Sequence, residues 1–183
     1  MKIGKSMYSF EFATANKIIF GAGKLNGLSK LLEGNCKRLL LVCGYSSDAI
    51  PRVRGILSES NIEFIEFHVH GEPTVDLVRA GVEAARNCDM LIGIGGGSVL
   101  DTGKAIAALV TNHGDVMQYL EVVGRGQPIV NPPFPYIAIP TTAGTGAEVT
   151  RNAVLEAVEQ NVKVSLRSPL MLPRVALVDP ELT

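Results

Sequence analysis

MLIGIGGGSVLDTGKAIA, residues 90–107, decides the fold. Met90 to Ile94 is an apolar run too short for a helix and without polar alternation, which reads as a strand buried on both faces. It runs straight into Gly95, Gly96 and Gly97, and then into helix-forming sequence from Ser98 to Asn112. A buried strand, a glycine turn and a helix form one half of a βαβ unit. The same grammar extends outward in both directions. Upstream, Arg38 to Cys43 (RLLLVC) is a second short apolar strand. Leu25, Leu28, Leu31 and Leu32 before it, and Ile50, Val53, Ile56 and Leu57 after it, recur at helical spacing. Ile62 to Val69 reads as a strand. Val75, Val78, Val82 and Ala85 mark a helix with Thr74 as its N-cap. Downstream, Tyr136 to Ile139 and Val175 to Val178 are strands, and Lys17 to Phe20 is an opening one. Steady β/α alternation predicts an α/β fold, a doubly wound, mostly parallel, Rossmann-like sheet. No internal repeat is visible. Val122 to Pro135, with Pro128, Pro132, Pro133 and Pro135, reads as a surface excursion.

Composition narrows the function classes. The chain has 183 residues, and a single domain of 1–183 accounts for all of them. Seventeen basic against 18 acidic residues give a net charge of −1, which argues against a nucleic-acid partner. No apolar run reaches the ~18 residues of a membrane span, and Lys5, Glu11 and Lys17 break the opening segment as a signal peptide. Cys36, Cys43 and Cys88 form no CxxC pair, so a reducing, cytoplasmic setting is expected.

In doubly wound sheets ligands bind beyond the carboxyl ends of the strands. Three turns therefore matter. After Ile94, the turn Gly95-Gly96-Gly97-Ser98 lets backbone approach a bulky anion, and the helix N-terminus behind it favours phosphate. Ser98 and Asp101 have the S-x-x-D spacing that caps a helix. A tight turn with two capping residues is the alternative; the strand before and the helix after favour phosphate. This is not the G-x-G-x-x-G fingerprint, because it follows a later strand and Ser98 takes the last glycine's place. After Ile139, PTTAGTGAEVT (140–150) crowds Thr141, Thr142 and Thr145 at one strand end, either as a ligand wall or as hydroxyls serving local backbone. After Cys43 the turn is Gly44-Tyr45-Ser46-Ser47-Asp48, where an adenosine ribose would lie. An acid there would bond the 2′-hydroxyl and repel a 2′-phosphate; Gly44 stands in its place, with Ser46 and Ser47 as hydroxyl donors. The alternative is a plain turn with Ser47 or Asp48 as N-cap. Arg52, the nearest base, lies a turn into the next helix. His68 and His70 alternate on a strand, but with no carboxylate or Cys expected nearby they read as strand-end residues rather than metal ligands. No Ser-His-Asp or Cys-His pair is apparent.

Taken together, these segments resemble the iron-containing (group III) alcohol dehydrogenase family, of the dehydroquinate synthase-like superfamily. The matching stretches are GIGGGSVLDTGKAIA (93–107), IPTTAGTGAEVT (139–150), KVSLRSPLMLPRVALVDPELT (163–183), Phe20-Gly21-Ala22-Gly23 and Glu72-Pro73-Thr74. Glycerol dehydrogenases and dehydroquinate synthases share the glycine turn but not the threonine run. The resemblance implies a nicotinamide cofactor across the sheet, with Gly96, Gly97 and Ser98 on the pyrophosphate and Thr141, Thr142 and Thr145 lining adenine and phosphates. It places Val154 and Lys163 near the nicotinamide and its ribose. Many NAD-preferring members carry Asp where this chain has Gly44, so NADP is favoured over NAD. Members are roughly twice this length, and their second half is a helical domain holding Fe²⁺ or Zn²⁺ through one Asp and three His for alcohol or aldehyde chemistry. That domain is expected to be absent here: Asp179-Pro180-Glu181 announces a helix, with Asp as N-cap, just before the chain stops. The expected whole is a cofactor domain with no catalytic or metal residue of its own. A non-catalytic nucleotide-binding module, or half of a split enzyme completed by a separate helical chain, are the competing expectations. Self-association is compatible with any of the three.

Overall fold

The computed structural model describes residues 9–34, 36–45 and 47–183. Its centre is a six-stranded sheet: β1 (Ile18–Phe20), β2 (Arg38–Cys43), β3 (Glu63–His68), β4 (Met90–Gly95), β5 (Tyr136–Pro140) and β8 (Val175–Val178). The spatial order is β1-β8-β5-β4-β2-β3, and every pairing within it is parallel. Parallel strands need crossovers, and helices lie in four of them: α1 (Leu28–Leu32), α2 (Ala49–Glu59), α3 (Val75–Ala85) and α4 (Gly97–Thr111); the connection from β5 to β8, residues 141–174, has no α-helix.

The continuous apolar runs are explained by two cores, one on each face. Leu39, Leu41, Cys43, Ile92 and Ile94 point to the face covered by α1 and α2, through Leu28, Ile50, Val53 and Leu57. Leu40, Val42 and Leu91 point to the opposite face, under Val78 of α3 and the apolar length of α4. Across the four inner strands both faces are dry, so these strands lack the polar alternation of a half-exposed sheet. The chain leaves β2 for β3 by α2 on one face and returns to β4 by α3 on the other. The switch point therefore lies between β2 and β4. Register aligns their ends: Cys43 pairs with Ile94, and Ile94 with Ile139. The turns that begin after these three residues start side by side.

Two elements escaped the periodicity. A four-residue helix α5 (Val116–Tyr119) comes after α4, and Asp115 caps it by accepting from the Met117 N–H. An antiparallel hairpin, β6 (Asn152–Ala157) with β7 (Val162–Arg167), forms a separate small sheet. Thr74 caps α3 as expected, accepting from the Leu77 N–H at 3.1 Å.

Asp179 differs from expectation. It does act as an N-cap, accepting from the Glu181 N–H, but the capped segment Pro180–Leu182 is a single 3-10 turn. The buried carboxylate also accepts from Gly23 N–H (3.0 Å) and Leu25 N–H (2.9 Å), across more than 150 residues of sequence. Burial alone would push its pKa up; the bonds from the Leu25, Glu181 and Gly23 amides bring it below the usual carboxylate value.

Candidate functional site

The glycine turn is shaped by what stands against it. A Cβ on Gly95 would meet Val99 Cγ2 at 2.7 Å, and one on Gly97 would meet Thr145 Cγ2 at 2.9 Å. The threonine run thus packs over the glycine turn, and only glycine allows that approach. α4 opens at Gly96 with no side chain capping it, so its first amides and positive dipole end are offered outward. Here the expected S-x-x-D cap fails. Ser98 has its carbonyl engaged by the Thr102 hydroxyl. Asp101 turns away to the hairpin, accepting from the Val154 N–H at 3.0 Å and ion-pairing with Lys104 at 3.0 Å. The reason is that Lys104 is buried and needs a counter-charge and acceptors. It finds them in Asp101, the Thr150 hydroxyl and the Asn152 carbonyl. Burial lowers the Lys104 pKa, and Asp101 opposes that shift.

The turn after β2 is built differently. Ser47 serves as the local cap, its hydroxyl accepting from Ala49 N–H at 3.3 Å, while Asp48 makes no side-chain cap. Gly44 has room beside it: a Cβ would touch only Val99 Cγ2, at 3.9 Å.

These turns enclose one cleft of about 560 Å³ along the carboxyl edge of the sheet. Gly44 and Ser47 form one wall, Gly95, Gly96 and Val99 the floor, and Thr141 and Thr142 the other wall. Of the sequence-derived site residues, Gly44, Ser47, Gly95, Gly96, Thr141 and Thr142 are gathered in the cleft, and Val99 joins them unpredicted. Gly97 lies immediately behind the floor, in reach of Thr145. Ser98 and Asp101 sit on α4 beyond the cleft lining. Val154 and Lys163 are on the β6–β7 hairpin, where Val154 bonds Asp101 and exposed Lys163 pairs with Glu72 at 2.9 Å. Ser46 lies outside the described residues. Sequence reasoning missed Glu181 and Leu182, which close the cleft from the end of β8. The rule that found the other turns applied to β8 as well and would have found them. Arg52 also lines the cleft.

The expectation that His68 has no carboxylate or Cys nearby is corrected. Parallel pairing sets Cys43 beside His68, and Glu66 lies two residues back on the same strand face. Cys43 Sγ is 3.6 Å from His68 Nδ1, and Glu66 Oε2 is 3.2 Å from Nε2. Among the described residues this is the one group of three ligand-type side chains close enough for a metal. It does not match one Asp and three His. The thiol and the carboxylate face opposite ring nitrogens, and Arg54 already grips Glu66 through two hydrogen bonds, which lowers the Glu66 pKa. Burial pushes the Cys43 thiol up to about 11. The group is a packed polar cluster capped by Tyr45, whose ring stacks on His68 at 4.7 Å.

Comparison with known proteins places this geometry. The sequence model of a family described as iron-containing alcohol dehydrogenase matches residues 15–180. A choline dehydrogenase of Bacillus subtilis is 37% identical over 183 residues, covering 97% of this chain and 45% of its own length. An NADH-dependent butanol dehydrogenase A of Clostridium acetobutylicum is 32% identical, covering 97% and 46%. The crystal structure of a 1,3-propanediol oxidoreductase superposes with a TM-score of 0.87 at 33% identity, over 96% of this chain and 47% of that one. A sulfoacetaldehyde reductase of Bifidobacterium kashiwanohense, solved in complex with NAD⁺, gives 0.85 at 28% identity, over 96% and 47%. The chain spans about half the length of the curated relatives it matches.

Proposed function

The chain belongs to the iron-containing alcohol dehydrogenase family, and from that premise we propose that it holds a nicotinamide dinucleotide across the carboxyl edge of its sheet. The activity it serves is hydride exchange between that cofactor and a small alcohol or aldehyde. The observation that carries this reading is the convergence of Gly44, Gly95, Gly96, Thr141 and Thr142 on one cleft at the switch point. The cradle fits the group: glycines without Cβ and an uncapped helix N-terminus suit a pyrophosphate, which needs close backbone donors rather than a side chain. Threonine hydroxyls on the facing wall suit phosphate, ribose and adenine edges. When bound, the nicotinamide supplies the hydride acceptor or donor. This chain's residues bind and orient it.

NADP(H) is favoured over NAD(H). Gly44 carries no charge against a 2′-phosphate of about −1.5 to −2, and the space beside it is open. The described residues provide no Asp-and-His set for the family's metal, so no step is assigned to a metal here. The same reading puts the protein in the cytoplasm, supported by three unpaired cysteines. Among the described residues no helix is long and apolar enough to cross a membrane.

Dissociation constants for NADP⁺ and NAD⁺, on wild type and on Gly44→Asp, test the cofactor choice. Wild type should favour NADP⁺, and the Asp variant should move the ratio toward NAD⁺. Tighter NAD⁺ binding by wild type, or an unmoved ratio, would show that this turn does not read the 2′ position. Alcohol oxidation by the 183-residue chain with added Fe²⁺ or Zn²⁺ should be absent. Turnover would mean that residues such as His68 and His70 serve as ligands after all.

A further inference from the structure

Among the described side chains that line the cleft, those of Asp48 and Glu181 carry negative charge and that of Arg52 alone carries positive. Arg52 is exposed and makes no ion pair or hydrogen bond among the described residues. Its neighbours on α2 are occupied otherwise: Arg54, two positions on, is committed to Glu66. The buried Asp179 feels the Arg52 charge but has its own carboxylate filled by three backbone amides. Arg52 is thus available to a ligand.

Its position is set by helix geometry. Arg52 stands four residues after Asp48, the N-cap of α2, so it is one turn into the helix. Long side chains on a helix lean back toward the N-terminus. Arg52 lines the same cleft as Ser47 and the open position beside Gly44, which are the groups at the start of α2. Ser47 accepts from Ala49 N–H, which leaves its own hydroxyl proton to donate.

The two ends of the cleft differ in what they offer an anion. At the glycine turn, a pyrophosphate can be held by backbone amides and the dipole of a 15-residue helix. At the Gly44 end a phosphomonoester would meet a hydroxyl and a carboxylate, Asp48. A dianion there needs a cation, and Arg52 is the one on hand. We propose that Arg52 is the specificity-determining residue of this cleft: its guanidinium binds the 2′-phosphate of the adenosine ribose, while Gly44 merely admits that group. The inference rests on the cofactor reading above and assigns the positive selection that an absent charge cannot supply.

The test uses fragments as well as whole cofactors. Adenosine 2′,5′-bisphosphate, adenosine 5′-monophosphate, NADP⁺ and NAD⁺ are titrated into the 183-residue chain, Arg52→Gln and Arg52→Lys. Arg52→Gln should weaken the bisphosphate and NADP⁺ by about tenfold and leave the monophosphate and NAD⁺ within about twofold. Arg52→Lys should recover part of the loss, because a point charge replaces a bidentate fork. The wild-type preference for the bisphosphate should shrink as salt is raised. Equal weakening of all four ligands would overturn the proposal, since Arg52 would then hold the adenosine or the helix rather than the phosphate. No change in any of the four would overturn it too, and would leave the cofactor reading standing. A folded wild-type chain that binds none of them would end both.

Discussion

The turn after β4 and the turn after β2 do the same topological job on adjacent parallel strands, yet their glycines exist for opposite reasons. Gly97 is glycine because Thr145 already fills the space a side chain would need, with contacts at 2.9 Å and 3.3 Å. Gly44 is glycine with nothing nearer than 3.9 Å. The first turn is specified by shape; the second leaves space open, and on the proposed cofactor reading it is specified by charge. A substitution in the first should destroy a surface, and one in the second should change what the surface selects.

The largest effect should come from the first turn. Gly97→Val is expected to abolish dinucleotide binding in a chain that remains folded by circular dichroism. The branched side chain must displace Thr145 or the turn itself. Gly97→Ala should weaken binding less, and placing Gly97→Ala on Thr145→Ser, which removes the nearest atom, should restore part of the loss. A double-mutant cycle on titrated affinities reads that coupling. Additive effects would mean that the threonine wall and the glycine turn do not act as one surface.

Next in size is Lys104→Met. It leaves Asp101 facing the hairpin without its buried partner, and should cost about 3–5 kcal/mol of stability by urea denaturation. By contrast, Gly44→Asp should change stability by under about 0.5 kcal/mol while moving cofactor preference. A large stability loss there would mean the turn is specified by shape after all, and the contrast between the two turns would collapse.

The smallest effect sits at the amino ends of the same two strands. Asp89 accepts from the Lys37 and Arg38 N–H groups, at 2.9 Å and 3.0 Å, pinning the start of β2 beside β4. Those two bonds hold its carboxyl below the ordinary value of 3.8. A lowered folded pKa means that this stabilisation is complete above the unfolded pKa and is lost as pH falls through the folded one. Asp89→Ala should therefore cost below about 1 kcal/mol at neutral pH, the site being exposed, and less as the medium is acidified. Dinucleotide affinity should not move. A shift in affinity would extend the cofactor surface to the wrong end of the sheet.

How much of this was legible in the sequence differs by element. The four inner strands β8, β5, β4 and β2 and the helices α2 to α4 were readable because burial on both faces leaves apolar runs and clean helical spacing, while the edge strands β1 and β3 showed through short apolar or aromatic stretches such as Ile18-Ile19-Phe20 and Phe64-Ile65. The β6–β7 hairpin was missed although β7 carries the signal: Lys163, Ser165 and Arg167 alternate with the buried Val164 and Leu166. Its partner β6, Asn-Ala-Val-Leu-Glu-Ala, alternates in burial but not in residue type, and no two-residue glycine turn joins the strands. The cleft's location was implied by topology, and so were Gly44, Gly95, Gly96, Thr141 and Thr142. Asp101 misled because S-x-x-D is a local pattern. What claims Asp101 is Lys104, one turn on, and the Val154 amide, 53 residues away. His68 misled in the opposite sense: its thiol neighbour Cys43 comes from the adjacent strand, 25 residues back, visible only once register is known. Local spacing found the turns, and long-range partners decided what their side chains do.

The central claim is that one cleft at the switch point binds a nicotinamide dinucleotide. The most direct measurement is a titration of the 183-residue chain with NADP⁺ and NAD⁺, monitored by backbone amide chemical shifts. Saturable one-to-one binding is predicted, with the largest shifts at Gly44, Gly95, Gly96, Thr141 and Thr142. A folded chain that shows no saturable shift, or shifts centred elsewhere, would contradict it.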